Sequence, residues 1–121
     1  MIRTGPLKLK AQLFHGNEPA MGPGKADLLE AIAREGSISA AGRALGMSYR
    51  RTWLLVDAMN RCWRERLVET VAGGSKERGA RVTPFGQEVL AAFRALERAV
   101  ETVAAPHADR FGALLRDQAD A

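Results

Sequence analysis

Apolar and polar residues alternate along Leu7–Phe14, with Leu7, Leu9, Ala11 and Leu13 on one face and Lys8, Lys10 and Gln12 on the other. That period of two predicts a half-buried strand. Residues 15–24 hold Gly16, Asn17, Pro19, Gly22, Pro23 and Gly24, which predicts a loop. From Lys25 to Glu35 the spacing turns helical, with Leu28, Leu29, Ile32 and Ala33 on one side and Gly36 as the terminator.

The stretch Ser37–Met59 reads as a short helix, a tight turn and a second helix. Ser37 and Ser39 offer oxygens to the unpaired N–H groups of a helix starting near Ser39. Ala40, Ala41 and Ala44 are small enough for another helix to approach, and Leu45 supplies an apolar contact at the corner. Gly46 follows where a left-handed residue costs least, and Ser48 is placed to cap the next helix. That helix is expected from Ser48 to Trp63, with Tyr49, Trp53, Val56, Met59, Asn60 and Trp63 recurring on the core face.

Leu67–Val71 and Arg81–Thr83 flank a glycine-rich segment and predict a β-hairpin with a basic tip. Thr83 and Pro84 then open a helix expected to reach Ala104, where Pro106 stops it. A short last helix is expected over residues 107–118. The stripe Phe85, Val89, Phe93, Leu96, Val100 and Val103 steps by four, four, three, four and three, close to a coiled-coil seam. It is expected to be partly core and partly the seam of a homodimer.

Strand, three helices, hairpin and long helix together predict a mainly α fold with a small β-sheet (α+β), a winged helix-turn-helix. Residues 1–83 form the helix-turn-helix part, and residues 84–121 a helical extension for dimerisation. The chain has 121 residues, 46% hydrophobic and 26% charged, which suits a single modest core. Its net charge is +4, and the excess lies in one place: residues 48–81 carry eight cations against four anions, while the rest balances. The single cysteine, Cys62, excludes an internal disulfide and is expected as a buried small residue in a reducing cytosol. No run of apolar residues has the length of a membrane span or a leader's core, so a cytoplasmic protein without a membrane partner is expected.

That charge surplus coincides with the helix-turn-helix, which points to double-stranded DNA, a dense row of phosphates. A second helix entering the major groove by its N-terminal end would present Arg50 and Arg51 to guanine edges or phosphates. Ser39, Ser48, Tyr49 and Thr52 add hydrogen-bonding groups, and Lys76, Arg78 and Arg81 suit a wing that follows a neighbouring phosphate ridge. Tyr49 is equally a core-edge aromatic, whereas Trp53 and Trp63 read as core. A non-specific DNA-packaging protein and a winged helix that docks a protein partner are the alternatives. Catalysis is not supported. His15 and His107 have no Cys, Asp or Glu at metal-ligand spacing, and Gly73-Gly74-Ser75-Lys76 has Glu69 where a phosphate loop needs glycine. No metal or cofactor is expected.

The chain resembles the N-terminal DNA-binding domain of ModE-type molybdate-responsive transcriptional regulators. The resemblance rests on Leu7-Lys-Leu-Lys, Gln12-Leu-Phe, Gly36-Ser-Ile-Ser, Met47-Ser-Tyr, Trp53, Met59-Asn60, and Gly73-Gly74 followed by Thr83, Gly86 and Gln87. The helix-turn-helix portion is shared with LysR-type regulators. The resemblance implies a homodimer that contacts an operator through Ser48, Tyr49, Arg50, Arg51 and the wing. Lys76, Glu77 and Arg78 depart from the family's purely glycine-rich wing. Full-length members continue into β-barrel domains that bind molybdate, opening with a Thr-Ser-Ala-Arg-Asn-like motif. The chain runs to Ala121 without that motif, so a single-domain member is expected and its effector, if any, is unknown.

Overall fold

The alternation that begins at Leu7 does not produce one strand. In the computed structural model, which describes residues 1–71 and 79–118, it is divided between two hairpins. Gly5, at φ 53°, reverses the chain so that β1 (Ile2–Thr4) pairs antiparallel with β2 (Leu7–Leu9). Gly16, at φ 59°, makes a second reversal between β3 (Leu13–His15) and β4 (Glu18–Met21). The segment expected as a loop therefore contains a strand. Pro19 is tolerated there because a two-stranded ribbon has edges at which no N–H is needed. Leu7, Leu9 and Ala11 are half-buried as the alternation predicts, but Leu13 and Phe14 are exposed beyond the break.

Helix α1 (Pro23–Glu35) begins with Pro23 at its first position and ends on Gly36, which takes the left-handed conformation at φ 71°. Leu28, Leu29 and Ile32 are wholly buried, each contributing about 1.5–3 kcal/mol of apolar burial. Ala33 faces solvent. Helix α2 (Ile38–Ala44) and helix α3 (Tyr49–Cys62) follow, then the hairpin of β5 (Val68–Val71) and β6 (Gly79–Val82). Residues from α1, α2, α3, the β5–β6 hairpin and the following helix share one hydrophobic cluster, with Met21 of β4 joining it.

The last helix, α4, runs unbroken from Pro84 to Leu114. Pro106 lies inside it and does not end it, so the short separate helix expected after residue 106 does not exist. A proline costs one backbone hydrogen bond and some crowding with the preceding turn. Ala104 and Ala108 are buried on either side of it, four residues apart, and hold both segments to the same face. Further back on that inward face, Glu97 accepts a hydrogen bond from the Met1 ammonium at 2.6 Å. Strand β1 packs along α4 there. Arg94 of α4 bridges to α1, donating to Asp27 at 2.7 Å and Glu30 at 2.8 Å while also holding Glu97 at 2.8 Å.

Candidate nucleic-acid interface

Ser37 caps α2 by accepting a hydrogen bond from the Ala40 N–H at 3.2 Å. Ser39, expected as a second cap, sits half-buried inside the first turn. Gly46 at φ 71° turns the corner, and the Met47 N–H returns to the Gly42 carbonyl at 2.8 Å. Leu45 at that corner stays 37% exposed. Gly42, which the alanine pattern passed over, makes a close approach between α2 and α3. A Cβ there would meet Thr52 Oγ1, with Thr52 Cβ and Cγ2 both at 3.0 Å.

Ser48 caps α3, its hydroxyl accepting from the Arg51 N–H at 3.1 Å. The expected core face holds at Val56 and Met59, which are buried, and at Trp53, Asn60 and Trp63, which are half-buried; the departure is in the first turn. Thr52, Val56 and Met59 face inward, whereas Tyr49 is 67% exposed. Thr52 was expected at the DNA surface and is instead 1% exposed, its hydroxyl donating to the Ser48 carbonyl at 2.8 Å. Tyr49 tilts its ring 59° against that of Trp53, 6.1 Å away. Trp53 leans on the core, its buried Nε1 without a hydrogen-bond partner among the described residues. Trp63 is half-buried and donates to the Ala20 carbonyl at 3.0 Å.

As expected, Arg50, Leu54 and Asp57 lie away from the core on α3, forming its outermost ridge, all exposed. Arg51 is exposed on the flank that continues through Leu55, Ala58 and Cys62, each half-buried. Neither Arg50 nor Arg51 takes part in an ion pair among the described residues, while several cations further along are already engaged. Arg61 pairs with Glu18, and Arg81 pairs across the β5–β6 hairpin with Glu69. Arg64 lies 3.9 Å from Glu65 and stands over the Phe85 ring at 5.2 Å. Among the described residues from 48 to 81, Arg50, Arg51 and Arg66 are the exposed arginines outside any ion pair. Arg43, exposed near the end of α2, adds a cation that the motif reading passed over. Lys76, Arg78, Gly73 and Gly74 lie outside the described residues.

Asn60 was expected only as part of the core face. Its side chain ties α3 to the hairpin: Oδ1 accepts from the Leu67 and Val68 N–H groups at 2.9 and 3.1 Å, and Nδ2 donates to the Val68 carbonyl at 3.0 Å. Thr83 fixes the hairpin's other arm, its hydroxyl donating to the Arg66 carbonyl at 2.7 Å and accepting from the Gly86 N–H at 2.9 Å.

The expected dimerisation stripe divides in two. Val89 and Phe93 are buried within the chain's own core, and Phe85 is half-buried against it. Val100 is half-buried, while Leu96 and Val103 are 42% and 70% exposed. Toward the end of α4, Phe111 and Leu114 are also exposed. Leu13, Phe14, Trp63, Phe85 and Leu96 line an open apolar groove beside α4. His15 and His107 are exposed and Cys62 is half-buried, its thiol pushed up by burial. No helix among the described residues is long and apolar enough to cross a membrane.

The chain is similar to the molybdenum-pterin-binding protein MopA of Rhodobacter capsulatus, at 40% identity over 95 residues, 78% of this chain and 36% of that one. It is 46% identical over 70 residues to the molybdenum transport protein ModE of Azotobacter vinelandii, covering 58% of this chain and 26% of that one. The DNA-binding transcriptional dual regulator ModE of Escherichia coli (strain K12) is 36% identical over 84 residues, 69% of this chain and 30% of that one. Among solved structures, full-length LysG from Corynebacterium glutamicum with bound effector Arg superposes with a TM-score of 0.53 at 26% identity. That match covers 75% of this chain and 29% of LysG. The chain thus spans between 26% and 36% of the length of these proteins. The model of bacterial regulatory helix-turn-helix proteins of the lysR family matches residues 25–87, from the first turn of α1 through the start of α4. The helix-turn-helix geometry and that match agree: this chain belongs to the lysR family of bacterial regulatory helix-turn-helix proteins.

Proposed function

We propose that the protein is a cytoplasmic, sequence-specific, DNA-binding transcriptional regulator that acts as a homodimer. The observation that carries this reading is the start of α3, where Tyr49, Arg50 and Arg51 stand exposed around the Ser48 cap with neither guanidinium in an ion pair among the described residues. The helix N-terminus adds partial positive charge at the same place. Arg50, on the outermost ridge, reaches the guanine acceptors of the major groove, and Leu54 one turn on suits a thymine methyl. The wing supports the same docking from one side.

The outward part of α4 supports homodimerisation. Leu96, Val103, Phe111 and Leu114 are exposed apolar residues on one long helix, next to the apolar groove at Leu13 and Phe14. A second copy that covers them places two α3 helices on one face of a duplex, about one helical turn or a multiple of it apart. Residues 84–121 thereby serve as the dimerisation extension.

Fluorescence anisotropy with labelled duplexes selected from a random pool tests the reading. With roughly six to ten phosphates contacted, affinity falls by about three to five decades between roughly 50 and 200 mM salt. No binding at low salt, or binding indifferent to salt, overturns it. Repeating the selection with and without molybdate reads the effector, since two of the relatives are named for molybdenum.

A further inference from the structure

We infer that Asp57 is a specificity-determining residue whose carboxylate accepts a hydrogen bond from the amino group of a cytosine, about three base pairs from the guanine that Arg50 takes. The inference rests on the DNA-binding reading above and names a residue that turns wrong sequences away.

Arg50, Leu54 and Asp57 follow one another at steps of four and three, which stacks them on one face of α3. That face lies opposite the buried Thr52, Val56 and Met59, so a surface that meets Arg50 also meets Asp57. Seven residues of helix rise about 10.5 Å. Base pairs are spaced by about 3.4 Å, so the two side chains address positions about three steps apart. Leu54, 55% exposed, lies between them and displaces water from both contacts once a duplex covers it.

The fold leaves this carboxylate without a cation. On a helix the natural partner of a carboxylate stands one turn away. For Asp57 that residue is Arg61, but the Arg61 guanidinium is held by Glu18 of β4. One turn back stand Trp53 and Leu54, which carry no charge. Among the described residues the Asp57 side chain joins no ion pair and no hydrogen bond.

An unpaired carboxylate on a DNA-facing ridge costs affinity for most sequences. It meets the phosphates and the acceptors that guanine, adenine and thymine present in the major groove, and all of these repel it. Cytosine's own edge offers a donor alone, whereas adenine sets the N7 acceptor beside its amino group. The repulsion is therefore offset at cytosine, and discrimination arises from rejection elsewhere.

The test applies random-pool selection and fluorescence anisotropy to the full chain and its Asp57→Ala and Asp57→Asn variants. Wild type is expected to select cytosine about three base pairs from the guanine assigned by an Arg50→Ala control. Asp57→Ala is expected to relax that one position by roughly fivefold or more, keep the guanine, and bind a random duplex more tightly. Asp57→Asn is expected to move the preference to adenine, whose N6 and N7 an amide takes together. Urea midpoints are expected to match the wild type's; a lowered midpoint in both variants would give the carboxylate a structural task and overturn the inference. Base preferences unaltered in both variants, or a change by one factor on selected and random duplexes alike, also overturn it and leave the DNA-binding reading standing. A wild-type protein that binds no duplex overturns both.

Discussion

Gly42 in α2 and Thr52 in α3 touch so closely that no side chain fits between them: a Cβ on Gly42 would collide with Thr52 Oγ1. Gly42→Ala is therefore expected to destabilise the fold by about 1–3 kcal/mol, because overpacking at a helix crossing outweighs the roughly 1 kcal/mol that alanine gains over glycine within a helix. Thr52→Ala removes the colliding hydroxyl, so the double variant should lose less than the sum of the two single changes. Urea unfolding of the four proteins reads this coupling. A Gly42→Ala variant as stable as the wild type would show that α2 and α3 can separate at no cost.

Thr83 joins two elements through one hydroxyl, which caps α4 at the Gly86 N–H and donates to Arg66 ahead of β5. Thr83→Ala is expected to cost about 1–2 kcal/mol, the upper range for a lost cap, since the Arg66 carbonyl also loses its partner. Thr83→Ser keeps both hydrogen bonds and is expected to retain most of the stability. Equal midpoints for the alanine and serine variants in chemical denaturation would contradict this role.

The helix-turn-helix was legible because its signals are local: Ser37 and Ser48 cap, Gly36 and Gly46 terminate, and Thr83 with Pro84 opens α4. Signals that depend on distant partners were not. Strand β1 is three residues long and is defined by pairing with β2, while the pairing of β3 with β4 overrides Pro19. The first turn of α3 was misread because Tyr49 outweighs Thr52 in any hydrophobic pattern. A buried threonine is cheap only once its hydroxyl finds the Ser48 carbonyl. Arg81 looked like a free wing cation because the register that sets Glu69 opposite it is not written in local sequence.

Glu97 links stability to pH. Burial disfavours its charge, but hydrogen bonds from the Met1 ammonium and Arg94 outweigh burial and hold its carboxyl below the ordinary range. A carboxyl depressed in the folded state stabilises above its unfolded pKa, about 4.3, and that contribution fades as pH falls through the folded value. Wild type is thus expected to lose more stability than Glu97→Gln between about pH 7 and about pH 3. Parallel losses in urea midpoint would remove Glu97 from the account.

Pro106 sits where α4 lacks one backbone hydrogen bond, the one to the Thr102 carbonyl. Pro106→Ala restores that donor and is expected to stabilise the protein by up to about 3 kcal/mol with no loss of helical circular dichroism. A lowered melting temperature would mean that the ring itself is needed where it stands.

The Asn60 amide holds Leu67 and Val68, at the entry to β5, as a neighbouring strand would, with three hydrogen bonds at one side chain. Helix α3 and the base of the β5–β6 hairpin are consequently welded at a fixed distance, like the jaws of a caliper set to one width. On the proposed docking, a duplex whose groove is narrower or wider than that setting is expected to deform on being held, so that the shape of the DNA would be selected along with its letters.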